Sequence, residues 1–265
     1  MKILSGKELR PFLKEKIEKE LESVDVSFYL YSNKEDFPSQ AYLRGIKKTL
    51  DSFNVPYQEG FIDLEKSKEE NLALFEKEGK DHSILMARPL HVSYEEDFLS
   101  LIKPWQDPDM LTTYNRGMLF GGNLDYLTAT SSSVKTIIEQ YHIDVAGKKA
   151  VVIGRSTEVG YPCFQLLNKM NAAVTLLHSK VSKDVMEEYV KQADIIIFAT
   201  GKSNLISRER FNPNQTIIDC GFNPNGGDLG FVPEEDELYS YTPVPGGVGA
   251  LTSYCLLLNA INLKK

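Results

Sequence analysis

Gly154, Arg155, Ser156 and Gly160 stand in the stretch KKAVVIGRSTEVGYP at 148–162, and their types and spacing suit the capture of an anion. Residues 150–153 form a short apolar run rich in β-branched side chains that stops at Gly154, the pattern of a buried strand entering a tight turn. Gly160 and Pro162 then open an amphipathic helix. In such a unit the helix N-terminus aims N–H groups and the positive end of its dipole at whatever lies over the turn. The dinucleotide fingerprint G-x-G-x-x-G is only partly met, because no glycine stands between Gly154 and Gly160 at its second position. The next strand-like run, 172–177, ends in His178, Ser179 and Lys180, where an NAD site would place an acid for the ribose hydroxyls. A hydroxyl and nearby cations, with Arg155 in the turn, suit a ribose phosphate, so the pocket favours NADP over NAD. From these residues alone, a Rossmann-like unit whose helix merely packs on its sheet is the alternative.

The elements around this turn set the fold class. Leu9, Phe12, Leu13, Ile17 and Leu21 recur at helical spacing over 7–22, and 24–32 alternates as a strand. Ser39 is the expected cap of a helix reaching about residue 53, whose apolar stripe is Tyr42, Leu43, Ile46, Leu50 and Phe53. Tyr42 and Ile46, four apart, therefore share a face. A strand at 57–62, a charged helix at 67–79 and the apolar run 83–86 follow, the last stopping at Ala87, Arg88 and Pro89. Residues 104–115 read as a polar loop carrying Asp107 and Asp109, and 126–141 as a capped helix. Apolar strands at 193–198 and 215–220 each stop at small residues, where loops of a doubly wound sheet meet a ligand. A glycine-proline loop at 242–249 precedes a final helix over 250–262. Strands alternating with helices predict an α/β fold with mainly parallel sheets.

Composition narrows the function. The chain has 265 residues, 42% of them apolar and 25% charged, as in globular proteins. A net charge of -7 argues against nucleic acid as a partner, since phosphate backbones are held by an excess of Lys and Arg. Cys163, Cys220 and Cys255 are odd in number and widely spaced, which fits reduced thiols. No spacing links them to the four histidines as a metal site, so no metal is expected. Neither a signal-peptide core nor a membrane-spanning run is visible, and the expected compartment is the cytoplasm.

Taken together, VVIGRSTEVGYP at 151–162, HSK at 178–180, ADIIIFATG at 193–201, IIDCGFN at 217–223 and TPVPGGVGALT at 242–252 resemble the methylenetetrahydrofolate dehydrogenase/cyclohydrolase family of one-carbon metabolism. PSQAYLRGIKK at 38–48 and DPDMLTTYNRG at 107–117 are weaker matches in the same order. The resemblance implies two domains: an N-terminal α/β folate domain over 1–120 completed by the C-terminal helix at 250–265, and a Rossmann-like NADP-binding domain over 121–249. It implies a folate substrate in the cleft and a homodimer. By position, Gly154, Arg155 and Ser156 would contact NADP, Ser179 with Arg155 would hold its ribose phosphate, and Phe222 would lie beside the nicotinamide. Tyr42 would stack on the folate, Asp109 would hydrogen-bond the pterin, and Pro245, Gly246 and Gly247 would close over the substrate.

Three departures bear on the chemistry. The family's catalytic Lys, four residues after its Tyr, is Ile46 here; its Gln before a Leu-Pro pair is Ala87, followed by Arg88 and Pro89; and its Pro-Cys-Thr-Pro segment is Thr128, Ala129, Thr130 and Ser131. Hydride transfer needs proximity and orientation without proton shuttling, whereas cyclohydrolysis gains about 10²–10⁴-fold from general acid-base help. Losing both Lys and Gln therefore predicts a dehydrogenase with weak or absent cyclohydrolase activity. Lys47 is a weak substitute, since one residue along a helix turns its side chain about 100° off the Tyr42 face. A rearranged bifunctional site, an idle nucleotide- or folate-binding paralogue, and a changed pterin or non-folate substrate are the competing readings.

Overall fold

Period-two alternation in the strands decides which helices cover each sheet face. The computed structural model describes residues 2–221, 226–234 and 237–265. A two-residue strand β1 (Lys2–Ile3) leads into α1 (Gly6–Leu21), then β2 (Phe28–Ser32), α2 (Phe37–Ser52), β3 (Tyr57–Phe61), α3 (Lys68–Gly79) and β4 (Ser83–Met86). Three helices follow, α4 (Glu95–Leu101), α5 (Thr113–Phe120) and α6 (Ala129–Gln140). Next come β5 (Lys149–Ile153), α7 (Gly160–Lys169), β6 (Ala173–Leu177), α8 (Lys183–Gln192), β7 (Ile195–Phe198), β8 (Thr216–Asp219), β9 (Ser240–Tyr241) and α9 (Thr252–Asn262).

The strands form two sheets, ordered β3-β2-β4 and β1-β9-β8-β7-β5-β6, and every pairing is parallel. Phe28 and Leu30 of β2 and Ala150 and Val152 of β5 enter one continuous core shared with α1, α2, α6, α7 and α9. Their alternates face outward: Tyr29 and Tyr31 pack with Phe75 and Phe98 under α3 and α4, and Val151 and Ile153 pack with Met186 and Val190 of α8. Each fully buried aliphatic or aromatic side chain contributes about 1.5–3 kcal/mol. α9 lies against α1, α2 and α6. Residues 2 and 3, by contrast, pair with β9 in the larger sheet.

Several local expectations are corrected. Asp36, rather than Ser39, caps α2: its Oδ2 accepts from the Ser39 N–H at 2.9 Å, and Pro38 occupies the first turn. Ser67 does cap α3, in a reciprocal capping box with Glu70. Residues 104–115 are not a solvated loop but a buried corner. Gln106 donates to three carbonyls, and Asp107, 1% exposed, accepts from Leu111 N, Thr112 N and Asn115 Nδ2 at 2.8–2.9 Å. The turn 248–250 is a 3-10 turn, so α9 begins later than expected. Phe222 lies outside the described residues.

Candidate active site

The start of α2 is bolted to the end of the three-stranded sheet, and this fixes Tyr42. Asp36 Oδ1 pairs with His91 Nε2 at 2.9 Å while its other oxygen caps the helix, and these bonds hold its pKa down to about 2. Asn33 Nδ2 donates to Leu90 O at 3.1 Å, Gln40 Nε2 donates to Ser32 Oγ at 2.9 Å, and Ser39 Oγ donates to Arg88 O at 3.3 Å. Tyr42, one turn further on, stays 40% exposed. Burial of its hydroxyl, followed by the negative charge of Asp109, pushes its pKa up. The two expected substrate residues thus share one electrostatic environment.

Position 46 is part of the core. Ile46 is 2% exposed and belongs to the same cluster as Ala87, itself 3% exposed at the end of β4. At the two positions where the resemblance implies a base and an amide, this chain has a branched aliphatic and a methyl group, and neither can move a proton. Lys47 points away, with its Nζ 3.1 Å from the Glu59 carboxylate on β3. The turn of the helix realises the expected offset.

Asp109 leaves the buried corner to meet the start of α6. Its Oδ1 accepts from Ala129 N at 3.5 Å. Burial first, then repulsion by Asp107, pushes its pKa up to about 7; Glu158 adds to the push, while the Ala129 N–H and Arg116 oppose it. Thr128 is the cap of α6, and its hydroxyl also donates to Glu158 O at 2.7 Å. Thr128, which stands where the family's segment begins with Pro, therefore ties α6 to the glycine turn.

That turn is as tight as its glycines imply. Gly154 sits at φ +120°, and a Cβ there would fall 2.0 Å from Ala199 O; a Cβ on Gly160 would fall 2.2 Å from Gly154 O. Only glycine fits at either place. Ser156 departs from the expectation of unpaired donors on α7, because its Oγ accepts from Val159 N and Gly160 N at 3.1 and 3.4 Å and its carbonyl from Tyr161 N. The donors left for an anion are those of the turn: the Ser156, Thr157 and Glu158 N–H groups have no protein partner among the described residues. Arg155 and Ser179 are both exposed, at the ends of the adjacent strands β5 and β6, and Arg155 makes no ion pair among the described residues. A cradle only glycine fits, with an uncommitted guanidinium beside it, fits a phosphorylated dinucleotide.

Sequence reasoning missed a charge cluster joining the two sheets. Arg88 binds Glu95 through Nε and Glu96 through Nη2 at 2.8 Å, and its Nη1 lies 4.0 Å from Glu158 Oε1. Arg116 Nη2, from α5, lies 3.6 Å from the same oxygen. The signal available was the appearance of Arg116 and Glu158 inside matched motifs and of Arg88 at a departure from one, but nothing in the spacing pairs residues 70 apart. The Pro245 to Gly247 loop packs on the start of α1. Gly246 is at φ +117° and its carbonyl accepts from Lys7 N at 3.1 Å, while Gly6 packs so closely on Gly247 O that a Cβ would fall 2.0 Å away. The loop runs directly into α9, which is fastened to α2 by Thr49 and Ser253 hydroxyls at 2.7 Å.

Comparisons with known proteins agree with this arrangement. Residues 128–265 match the family model described as tetrahydrofolate dehydrogenase/cyclohydrolase, NAD(P)-binding domain. The bifunctional protein FolD of Enterococcus faecalis is 34% identical over 99% of this chain and 98% of its own, and that of Bacillus subtilis is 32% identical over 99% and 97%. Among solved structures, the FolD methylenetetrahydrofolate dehydrogenase/cyclohydrolase of Campylobacter jejuni superposes with a TM-score of 0.90 at 28% identity, covering 100% of this chain and 98% of that one. The Trypanosoma brucei enzyme, solved with NADP cofactor and inhibitor, gives 0.84 at 25% identity, covering 98% and 96%. Matched by that family model over its second half and by relatives above 30% identity over nearly its whole length, this chain belongs to the tetrahydrofolate dehydrogenase/cyclohydrolase family.

Proposed function

We propose that this chain is an NADP-linked methylenetetrahydrofolate dehydrogenase whose cyclohydrolase step is weak or lost. The observation that carries this reading is the burial of Ile46 and Ala87 in one apolar cluster beside an exposed Tyr42. Oxidation of the methylene bridge transfers a hydride and leaves a delocalised methenyl cation, a step served by orientation of the two ring systems. Bound NADP supplies the hydride acceptor. Tyr42 offers a ring face to the pterin, Asp109 accepts from its amino and ring N–H groups, and Arg155 with Ser179 holds the ribose phosphate. Ring opening is different, because water addition needs a group that takes and returns a proton. Positions 46 and 87 supply none, and Lys47 is committed to Glu59.

The proposed division is residues 1–120 with 250–265 for folate and 121–249 for NADP. Packing of α9 on α1 and α2 supports it, while the packing of α9 on α6 and the pairing of β1 with β9 join the two parts. A cytoplasmic homodimer is the expected form.

The deciding experiment mixes purified protein with NADP and methylenetetrahydrofolate and follows methenyl and formyl products separately, after subtracting spontaneous hydrolysis. Methenyl product that accumulates and decays at the uncatalysed rate is the expected result. Formyl product appearing faster than that background overturns the selective loss. Absence of either product while NADP binds selects the idle paralogue.

A further inference from the structure

In the charge cluster of Arg88, Arg116 and Glu158, Arg116 has buried donors that are left over among the described residues. Its Nε and Nη2 are both shielded from solvent and have no hydrogen-bond partner among the described residues. These two nitrogens form one edge of the guanidinium, a fork of near-parallel N–H donors. Buried donors of this kind are nearly always satisfied in a working protein, so an acceptor belongs there. Glu158 does not satisfy the fork: its oxygen lies 3.6 Å from Nη2 and accepts instead from the Thr157 hydroxyl at 2.9 Å.

The surroundings select the acceptor. An anion would meet the carboxylates of Glu158 and Asp109, both within electrostatic reach of this corner. A neutral carbonyl oxygen would not be repelled. The pyrimidine ring of a pterin presents, along one edge, an amino group, a ring N–H and then the 4-oxo oxygen: donor, donor, acceptor. A carboxylate followed by a guanidinium is the complement of that edge, and Asp109 and Arg116, which feel each other's charge, are the pair of that kind at this corner. Building on the folate reading above, we infer that Arg116 donates to the 4-oxo oxygen of the pterin and makes the site specific for 4-oxo over 4-amino pteridines. Thr112 O accepts from the Arg116 N–H and the Thr112 hydroxyl caps α5, which holds the residue on the first turn of a helix anchored by the buried Asp107.

The test uses the full-length chain with NADP present and measures, by calorimetry, the affinities for tetrahydrofolate and for its 4-amino analogue, in which an N–H donor replaces the carbonyl oxygen. The wild type is expected to prefer the 4-oxo compound at least tenfold. R116L is expected to lose that preference and to bind tetrahydrofolate about tenfold more weakly, with NADP affinity changed less than twofold. R116K, retaining one donor, recovers part of the preference, and R116Q, also uncharged, checks that any loss is not a folding defect. A preference unchanged in R116L and R116Q, or a loss confined to NADP affinity, overturns the inference and leaves the folate reading intact. A wild type that binds NADP but not tetrahydrofolate overturns both.

Discussion

Tyr42 and Ile46 stand one helical turn apart on α2, yet the first is 40% exposed and the second 2%, so the face they share passes from cleft to core within four residues. A lysine at position 46 would have to carry its ammonium out of that core, to which Ala87 also belongs.

Restoring the base alone is therefore expected to fail. Ile46→Lys should lower stability by roughly 2–4 kcal/mol, because a buried amine loses either its hydration or its charge, with a fall in Tm of roughly 5–15 °C. Formyl product should stay at background in I46K and rise above it only in I46K/A87Q, where the amide gives the ammonium a polar neighbour. A stable I46K that already opens the ring would show that the pocket never closed on its base.

Lys47 should be dispensable. K47M removes only a partly exposed pair with Glu59, worth about 0–1 kcal/mol, and should leave methenyl formation unchanged. A selective fall in formyl product above background would instead assign it the missing role.

For Tyr42 the ring and the hydroxyl separate by substitution. Y42F keeps the flat face and should raise the folate KM no more than two- to threefold; Y42A removes it and should raise KM about tenfold, in keeping with aromatic contacts of about 0.5–1.5 kcal/mol beyond area burial. The NADP KM is the control and should move in neither variant.

Asp109 gives the site a pH dependence whose sign is fixed. In the proposed function its ionised form accepts from the pterin, and its pKa is pushed up to about 7, chiefly by burial. The folate KM should therefore rise as pH falls from 8 to 6, while that of D109N is high and flat. Stability runs the other way. The native state keeps a proton that the unfolded chain releases near pH 4, so this group's contribution is full below that pH and is lost as pH rises through about 7. D109N should unfold at a higher temperature than wild type at pH 8 and at a similar one near pH 4.

At the nucleotide end, Arg155→Ala should raise the KM for NADP by about 10–100-fold and leave that for NAD within twofold, since only the former carries the ribose phosphate. Ser179→Asp should act in the same direction by repulsion. Equal losses for both cofactors would place Arg155 on the pyrophosphate instead.

Much of this was legible in the sequence because local chemistry and global fold agree there. The runs ending at Met86, Ile153 and Phe198 are parallel strands buried on both faces, and the glycines at 154 and 160 stand where no Cβ fits. What escaped was non-local. Asp36 outranked Ser39 as a cap because His91, 55 residues away, fixes its other oxygen. The corner around Asp107 looked polar because its side chains are polar, but they are spent on backbone groups inside the protein. The helices α5 and α8 were not expected from the sequence, although Met186 and Val190 give α8 a buried stripe at helical spacing, and the two-residue strands β1 and β9 are too short for any periodicity. Arg116 was invisible for a related reason: its significance lies in what its guanidinium fails to touch.

The pairing of Lys2–Ile3 with Ser240–Tyr241, and of Gly6 with Gly247, sets a timetable for synthesis. A ribosome adds about 5–20 residues per second, so the first strand and the first turn of α1 wait tens of seconds for the segments they bind. During that interval the exposed edge and the apolar stripe of Leu13 and Ile17 are without their final cover, which makes the nascent chain a natural client for holding chaperones until its last quarter emerges.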